Sequence, residues 1–98
     1  ESSTTYDKKV VNSITLNSAF KNKKIKLLKI DAEGHELEVL EGGSEILKNI
    51  DYISVDCGPE RGIDQNTTFI KVNNFLLNNN FQLIDINKER LIALYKNE

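Results

Sequence analysis

Eight consecutive residues, Lys29-Ile30-Asp31-Ala32-Glu33-Gly34-His35-Glu36, hold the side chains best suited to chemistry. Two acids stand two apart at the end of an apolar run, and a glycine and the chain's single histidine follow. At the carboxyl end of a strand in an open α/β sheet, where ligands of such sheets bind, Asp31 and Glu33 are candidates for a reacting edge. Gly34 allows a tight turn from strand to helix, and a helix start presents unpaired N–H groups and partial positive charge. That charge disfavours protonated His35, which suits a neutral base. The plainer alternative is that Asp31 and Glu33 cap the following helix and His35 is a surface side chain of its first turn.

A second cluster, Asp56-Cys57-Gly58-Pro59-Glu60-Arg61-Gly62, follows the next apolar run. Parallel neighbours end on the same side of a sheet, so Asp56, Glu60 and Arg61 are expected beside Asp31. The alternative here is a Gly/Pro loop with a surface Glu60–Arg61 pair of little energetic weight. Cys57 reads as a small buried residue rather than a nucleophile, because His35 is the one histidine that could activate it.

The elements that must position these residues follow from apolar periodicity. Residues 1–9 are a polar N-terminal segment. Residues 10–16 alternate through Val10, Ile14 and Leu16 and predict a short strand. Residues 25–31 are mostly apolar on both faces and predict a strand buried within a parallel sheet. Leu37, Leu40, Ser44 and Leu47 fall at helical spacing, with the glutamates at 36, 38, 41 and 45 mainly elsewhere, and Gly42-Gly43 kinks or divides the helix. Residues 52–57 predict a second strand and residues 58–66 a loop. Phe69, Val72, Asn73 and Leu76 mark a helix capped by Thr67 or Thr68 and closed by Asn78-Asn79-Asn80. Residues 81–86 and 90–95 form a hairpin around Asn87-Lys88-Glu89. The expected fold class is α/β: a mostly parallel sheet with flanking helices and a terminal antiparallel hairpin.

Composition sets the outer limits. At 98 residues and 39% hydrophobic, the chain can fill one modest core but not two lobes closing over a cleft. A net charge of −2 leaves no general basic field, so no nucleic-acid partner is expected. Lys21, Lys23, Lys24 and Lys26 read as a solvated face with edge-protecting lysines. No apolar run approaches the roughly 20 residues of a membrane span. A single cysteine fits a reducing compartment, so a cytoplasmic location is expected. With no methionine at its start or elsewhere, the chain looks like a piece of a longer polypeptide.

The stretch Leu27-Leu28-Lys29-Ile30-Asp31-Ala32-Glu33-Gly34-His35-Glu36-Leu37-Glu38-Val39-Leu40-Glu41-Gly42 resembles, nearly position for position, the "lKiDvEGaElevLkGa" signature of FkbM-type methyltransferases. Ile14-Thr15-Leu16-Asn17 is similar to that family's "tLD" segment, and residues 90–97 look like its closing strand. The resemblance implies a Rossmann-like methyltransferase fold and use of S-adenosylmethionine. Two residues depart from the pattern: Asn17 stands where the family usually has aspartate, and His35 replaces a common alanine. The glycine-rich first strand-turn and the ribose-gripping acid of such enzymes have no counterpart here. Residues 10–98 are therefore expected to be the C-terminal half of the domain, with the cofactor grip upstream of residue 1 and Asp31 as a further cofactor-side contact.

On that footing the expected function is methyl transfer to a hydroxyl of a sugar, glycan or other small molecule. Asp31 and Glu33 lie at the reacting edge, with His35 as a further base and Asp56, Glu60 and Arg61 on the acceptor side. Two rivals have a footing in the residues. Asp31, Glu33 and Asp56 are oxygen ligands that could serve a Mg²⁺-dependent phosphoester hydrolase. A non-catalytic fragment, inactive alone and self-associating through an exposed sheet edge, follows if the cofactor half is absent.

Overall fold

The structure, a computed structural model, describes residues 16–58 and 68–98. The strand expected over 10–16 lies outside these residues except for Leu16, and so do the capping alternative at Thr67 and most of the 58–66 loop.

The described elements are α1 (Leu16–Ala19), β1 (Ile25–Ile30), α2 (Glu36–Glu41), a 3₁₀ turn (Leu47–Asn49), β2 (Ile50–Asp56), α3 (Phe69–Asn78), β3 (Phe81–Asn87) and β4 (Ile92–Asn97). The four strands form one sheet in the order β1-β2-β4-β3. β1 pairs with β2 in parallel, while β4 runs antiparallel to both β2 and β3. The mostly parallel sheet expected from the sequence is corrected to a mixed one whose ladders are mostly antiparallel. The cause is an insertion: the second hairpin strand enters between β2 and β3 rather than extending the edge. β1, β2 and β3 still point the same way, with β4 reversed among them.

Burial explains the insertion. Ala93 and Tyr95 on β4 are fully buried and lie opposite Val55 and Ile53 of β2, also fully buried. β3 turns Gln82, Ile84 and Asp85 to solvent, as suits an edge. Val72 and Leu76 of α3 and Leu40 of α2 join the cluster that also holds Ile30, Ile53, Val55 and Cys57. α2 and α3 touch each other, and α3 packs on β3. The apolar-on-both-faces reading of β1 is likewise corrected. Only Ile30 on β1 is buried, Leu27 is 45% exposed, and among the described residues β1 pairs with β2 alone.

Leu16 belongs to a helical turn, not a strand. The Phe20 N–H donates to the Leu16 carbonyl at 3.0 Å. Asn17 Oδ1 accepts from the N–H groups of Glu45 (2.9 Å) and Ile46 (3.2 Å), so tertiary contacts override the local alternation. Gly43 is needed at that crossing, because a Cβ there would stand 2.9 Å from Leu16 Cβ. Gly42 caps α2 at its C-terminus, and the chain resumes as the 3₁₀ turn, so the glycine pair does divide the helical stretch.

α3 ends where expected. Asn79 is its C-cap, and Asn80 takes the left-handed φ of 69°. In the hairpin, Asn87 Oδ1 accepts from the Glu89 and Arg90 N–H groups, which extends the turn to Leu91 and starts β4 at Ile92. Asn97 at the far end of β4 donates to the Ile50 carbonyl at 2.9 Å and ties β4 to the start of β2.

Candidate active site

β1 and β2 are in register from Ile25 opposite Ile50 to Ile30 opposite Val55. One step further, Asp31 and Asp56 leave the two strands at the same end of the sheet. Asp56 closes its own turn, with Oδ1 accepting from the Gly58 N–H at 3.1 Å. The Asp31 residue is exposed, and its carboxyl is raised above the ordinary aspartate value, first by partial loss of solvent and then by the charges of Asp56, Glu36 and Glu33. A hydrogen bond from the Glu33 backbone works against that rise. A carboxylate crowded by three others is a better proton acceptor than a free aspartate, and it favours a cation nearby.

Between β1 and α2 the backbone makes a strained turn. Glu33 has φ 50° and Gly34 φ 99°, two consecutive residues in the left-handed region. Glycine bears this freely, whereas glutamate does so at a cost. The turn is held from below by Glu36, whose residue is 1% exposed. Glu36 Oε2 accepts from the N–H groups of Ala32 (3.0 Å) and Gly34 (3.1 Å). Its other oxygen, Oε1, accepts from the Thr68 hydroxyl at 2.9 Å.

Sequence reasoning missed this residue. Glu36 was assigned away from the apolar stripe and Ser44 to it, but Glu36 is buried and Ser44 exposed. The available signal was spacing: Glu36 lies four residues before Leu40, one turn along the same face, and an acid in a core stripe needs donors. Thr68 is corrected in the same way. It stands at the N-cap of α3, but no side-chain cap bond forms, and its hydroxyl donates to Glu36 instead.

The polar chain continues inward. Thr68, which donates its hydroxyl to Glu36, also lies beside the Cys57 thiol. Burial pushes the Cys57 thiol up to about 11; the Thr68 contact opposes that rise, while Glu36 and Asp56 add to it. Cys57 is fully buried and free of any disulfide, which agrees with its reading as a packed residue. Tyr95 follows, its phenol pushed up by burial and then by Cys57, with its hydroxyl donating to Asn73 Oδ1 at 2.9 Å.

Among the sequence-derived candidates, the structure therefore brings Asp31, Glu33 and Asp56 to one end of the sheet. His35 is exposed at the N-cap of α2, without a side-chain cap bond. Its backbone N–H goes to the Ala32 carbonyl at 3.1 Å, so the turn's donors are spent within the turn and on Glu36. Glu60 and Arg61 lie outside the described residues. Among the described residues no group of three or more His, Cys, Asp or Glu side chains is placed to hold a metal ion. Nor is any helix among them long and apolar enough to cross a membrane.

A family model described as the methyltransferase FkbM domain matches residues 1–83. The chain belongs to the FkbM methyltransferase family. The matched span takes in β1, the strained turn, α2, β2 and α3, and ends within β3. β4, with the closing segment over 90–97, lies beyond it. No curated protein and no solved structure gives a significant match to the chain.

Proposed function

We propose that this chain supplies the acceptor side of an S-adenosylmethionine-dependent methyltransferase, with Asp31 as the general base for an acceptor hydroxyl. The observation that carries the reading is placement: Asp31 and Asp56 leave the parallel strands β1 and β2 at the same end of the sheet, and the charges of Asp56, Glu36 and Glu33 act on the Asp31 carboxyl. Family membership supports the methyl-transfer chemistry. Three strands in one direction with one reversed among them support a Rossmann-like domain of which this is the C-terminal part.

The donor set fits a cationic methyl donor, because Asp31, Glu33 and Asp56 concentrate negative charge at one edge. Asp31 and Glu33 would face its positive part. When bound there, S-adenosylmethionine supplies an electrophilic methyl group. Asp31 would take the proton of the acceptor hydroxyl onto its carboxylate, leaving an oxygen lone pair for the new O–C bond while the methyl–sulfur bond breaks and the sulfur departs as a neutral thioether. Glu33 orients the acceptor, and Asp56, with Glu60 and Arg61, lines the acceptor side. His35, exposed beside the turn, is the second base. Positioning supplies most of the acceleration in such a displacement, and a base adds about 10²–10⁴-fold.

The acceptor class is a hydroxyl of a sugar, a glycan or another small molecule. The test is transfer of labelled methyl from S-adenosylmethionine to a panel of sugar and small-molecule hydroxyls by the polypeptide as encoded. An O-methylated product is expected. Absence of transfer across the panel, with magnesium-dependent phosphoester hydrolysis in its place, would overturn the reading.

A further inference from the structure

We infer that Glu36 is a positioning residue: its buried carboxylate clamps the strained Ala32–Gly34 turn to the start of α3 and so fixes Asp31 and Glu33 at the reacting edge. Three donors converge on one side chain, two from the turn backbone and one from Thr68. Both oxygens accept, so the carboxylate form matches the donors around it. The turn needs such a holder. Glu33 at φ 50° is in a conformation that persists only when its surroundings enforce it. Charge-assisted hydrogen bonds from two N–H groups on either side of Glu33 do this directly.

The clamp also spans two segments. Ala32 and Gly34 belong to the connection after β1, and Thr68 stands at the N-cap of α3, 32 residues beyond Glu36. Through Glu36 the two segments share one side chain at the end of the sheet where Asp31 and Asp56 emerge. The bearing of this clamp on methyl transfer rests on the function proposed above; the clamp itself does not.

The test compares the wild type with Glu36→Ala, Glu36→Gln and Thr68→Val by amide hydrogen exchange, read residue by residue in nuclear magnetic resonance spectra. Glu36→Ala is expected to speed exchange at Ala32 and Gly34 by about 10- to 100-fold while the β2 and β4 amides keep their rates. Glu36→Gln, whose amide oxygen can face the same two N–H groups, is expected to restore most of the protection. Thr68→Val removes the other end of the clamp at nearly constant volume, and is expected to loosen the same two amides less. If Glu36→Ala does not fold, the Gln and Val variants carry the test. Unchanged exchange at Ala32 and Gly34 would overturn the inference. So would equal acceleration in β2 and β4, which would make Glu36 a residue of the fold alone. In the methyl-transfer assay, Glu36→Ala is expected to lower kcat with the acceptor KM kept, and Glu36→Gln to recover it. An inactive wild type would count against the proposed function and leave the exchange result standing.

Discussion

Replacing Asp31 by asparagine should make the protein more stable near neutral pH. The exposed Asp31 carboxyl is raised above 3.8 in the folded chain by partial loss of solvent and by Asp56, Glu36 and Glu33. A carboxyl with a raised folded value binds protons more tightly in the native state than in the unfolded one. Its ionisation therefore costs stability as pH climbs from 3.8 through the raised value, and above that window the cost is complete. Asparagine removes the charge and keeps an oxygen for the Glu33 backbone donor. Because Asp31 is exposed, solvent screens these repulsions, and the expected gain is no more than about 1 kcal/mol. Urea unfolding of the wild type and Asp31→Asn across the acid-to-neutral range should show the gain at about pH 7 and none where both states are protonated. Adding about 0.5 M salt should shrink it, since much of the repulsion is between charges near the surface. A variant less stable than the wild type at neutral pH would refute the electrostatic account of the site. So would a gain that ignores pH.

Two further outcomes follow from the packing beneath the site. Asn17→Ala leaves the Glu45 and Ile46 N–H groups without their side-chain acceptor and should cost about 1–2 kcal/mol in urea unfolding. Asn17→Asp keeps the oxygen and should fall within about 0.5 kcal/mol of wild type; a large loss there would show that the amide nitrogen, not the acceptor, matters. Cys57, buried with its thiol pushed up to about 11, should react with a thiol reagent at about pH 8 only as fast as the chain opens. Modification at the rate of a free thiol would contradict its burial.

Much of the frame was legible in local pattern. β1, β2, α3 and the hairpin are apolar runs bounded by glycine, proline or asparagine, and each forms within a residue or two of its expected ends. Asp31 and Asp56 share an edge because parallel neighbours end together, which needs no side-chain detail. What local pattern does not hold is the choice among long-range partners. Leu16 alternates like a strand residue, yet Gly43 and the Asn17 bonds to Glu45 and Ile46 draw it into a helical turn. β4 enters the sheet between β2 and β3 because Tyr95 and Ala93 bury against Ile53 and Val55, a contact across some 40 residues of chain. Glu36 looked like one more solvated glutamate because charge is a surface signal. Its three donors are backbone or distant groups that no window of sequence displays together.

The role of Asn17 in this fold rests on its side-chain oxygen. Aspartate and asparagine both offer an oxygen to backbone donors, and it is the oxygen that Glu45 and Ile46 use.

The most direct test of the central claim is the kcat for methyl transfer from S-adenosylmethionine by the polypeptide as encoded, wild type against Asp31→Asn, with folding checked in the same preparations. If Asp31 draws the acceptor proton at this edge, the variant loses about 10²–10⁴-fold in kcat while its stability holds or rises. Equal turnover by the two proteins would contradict the account.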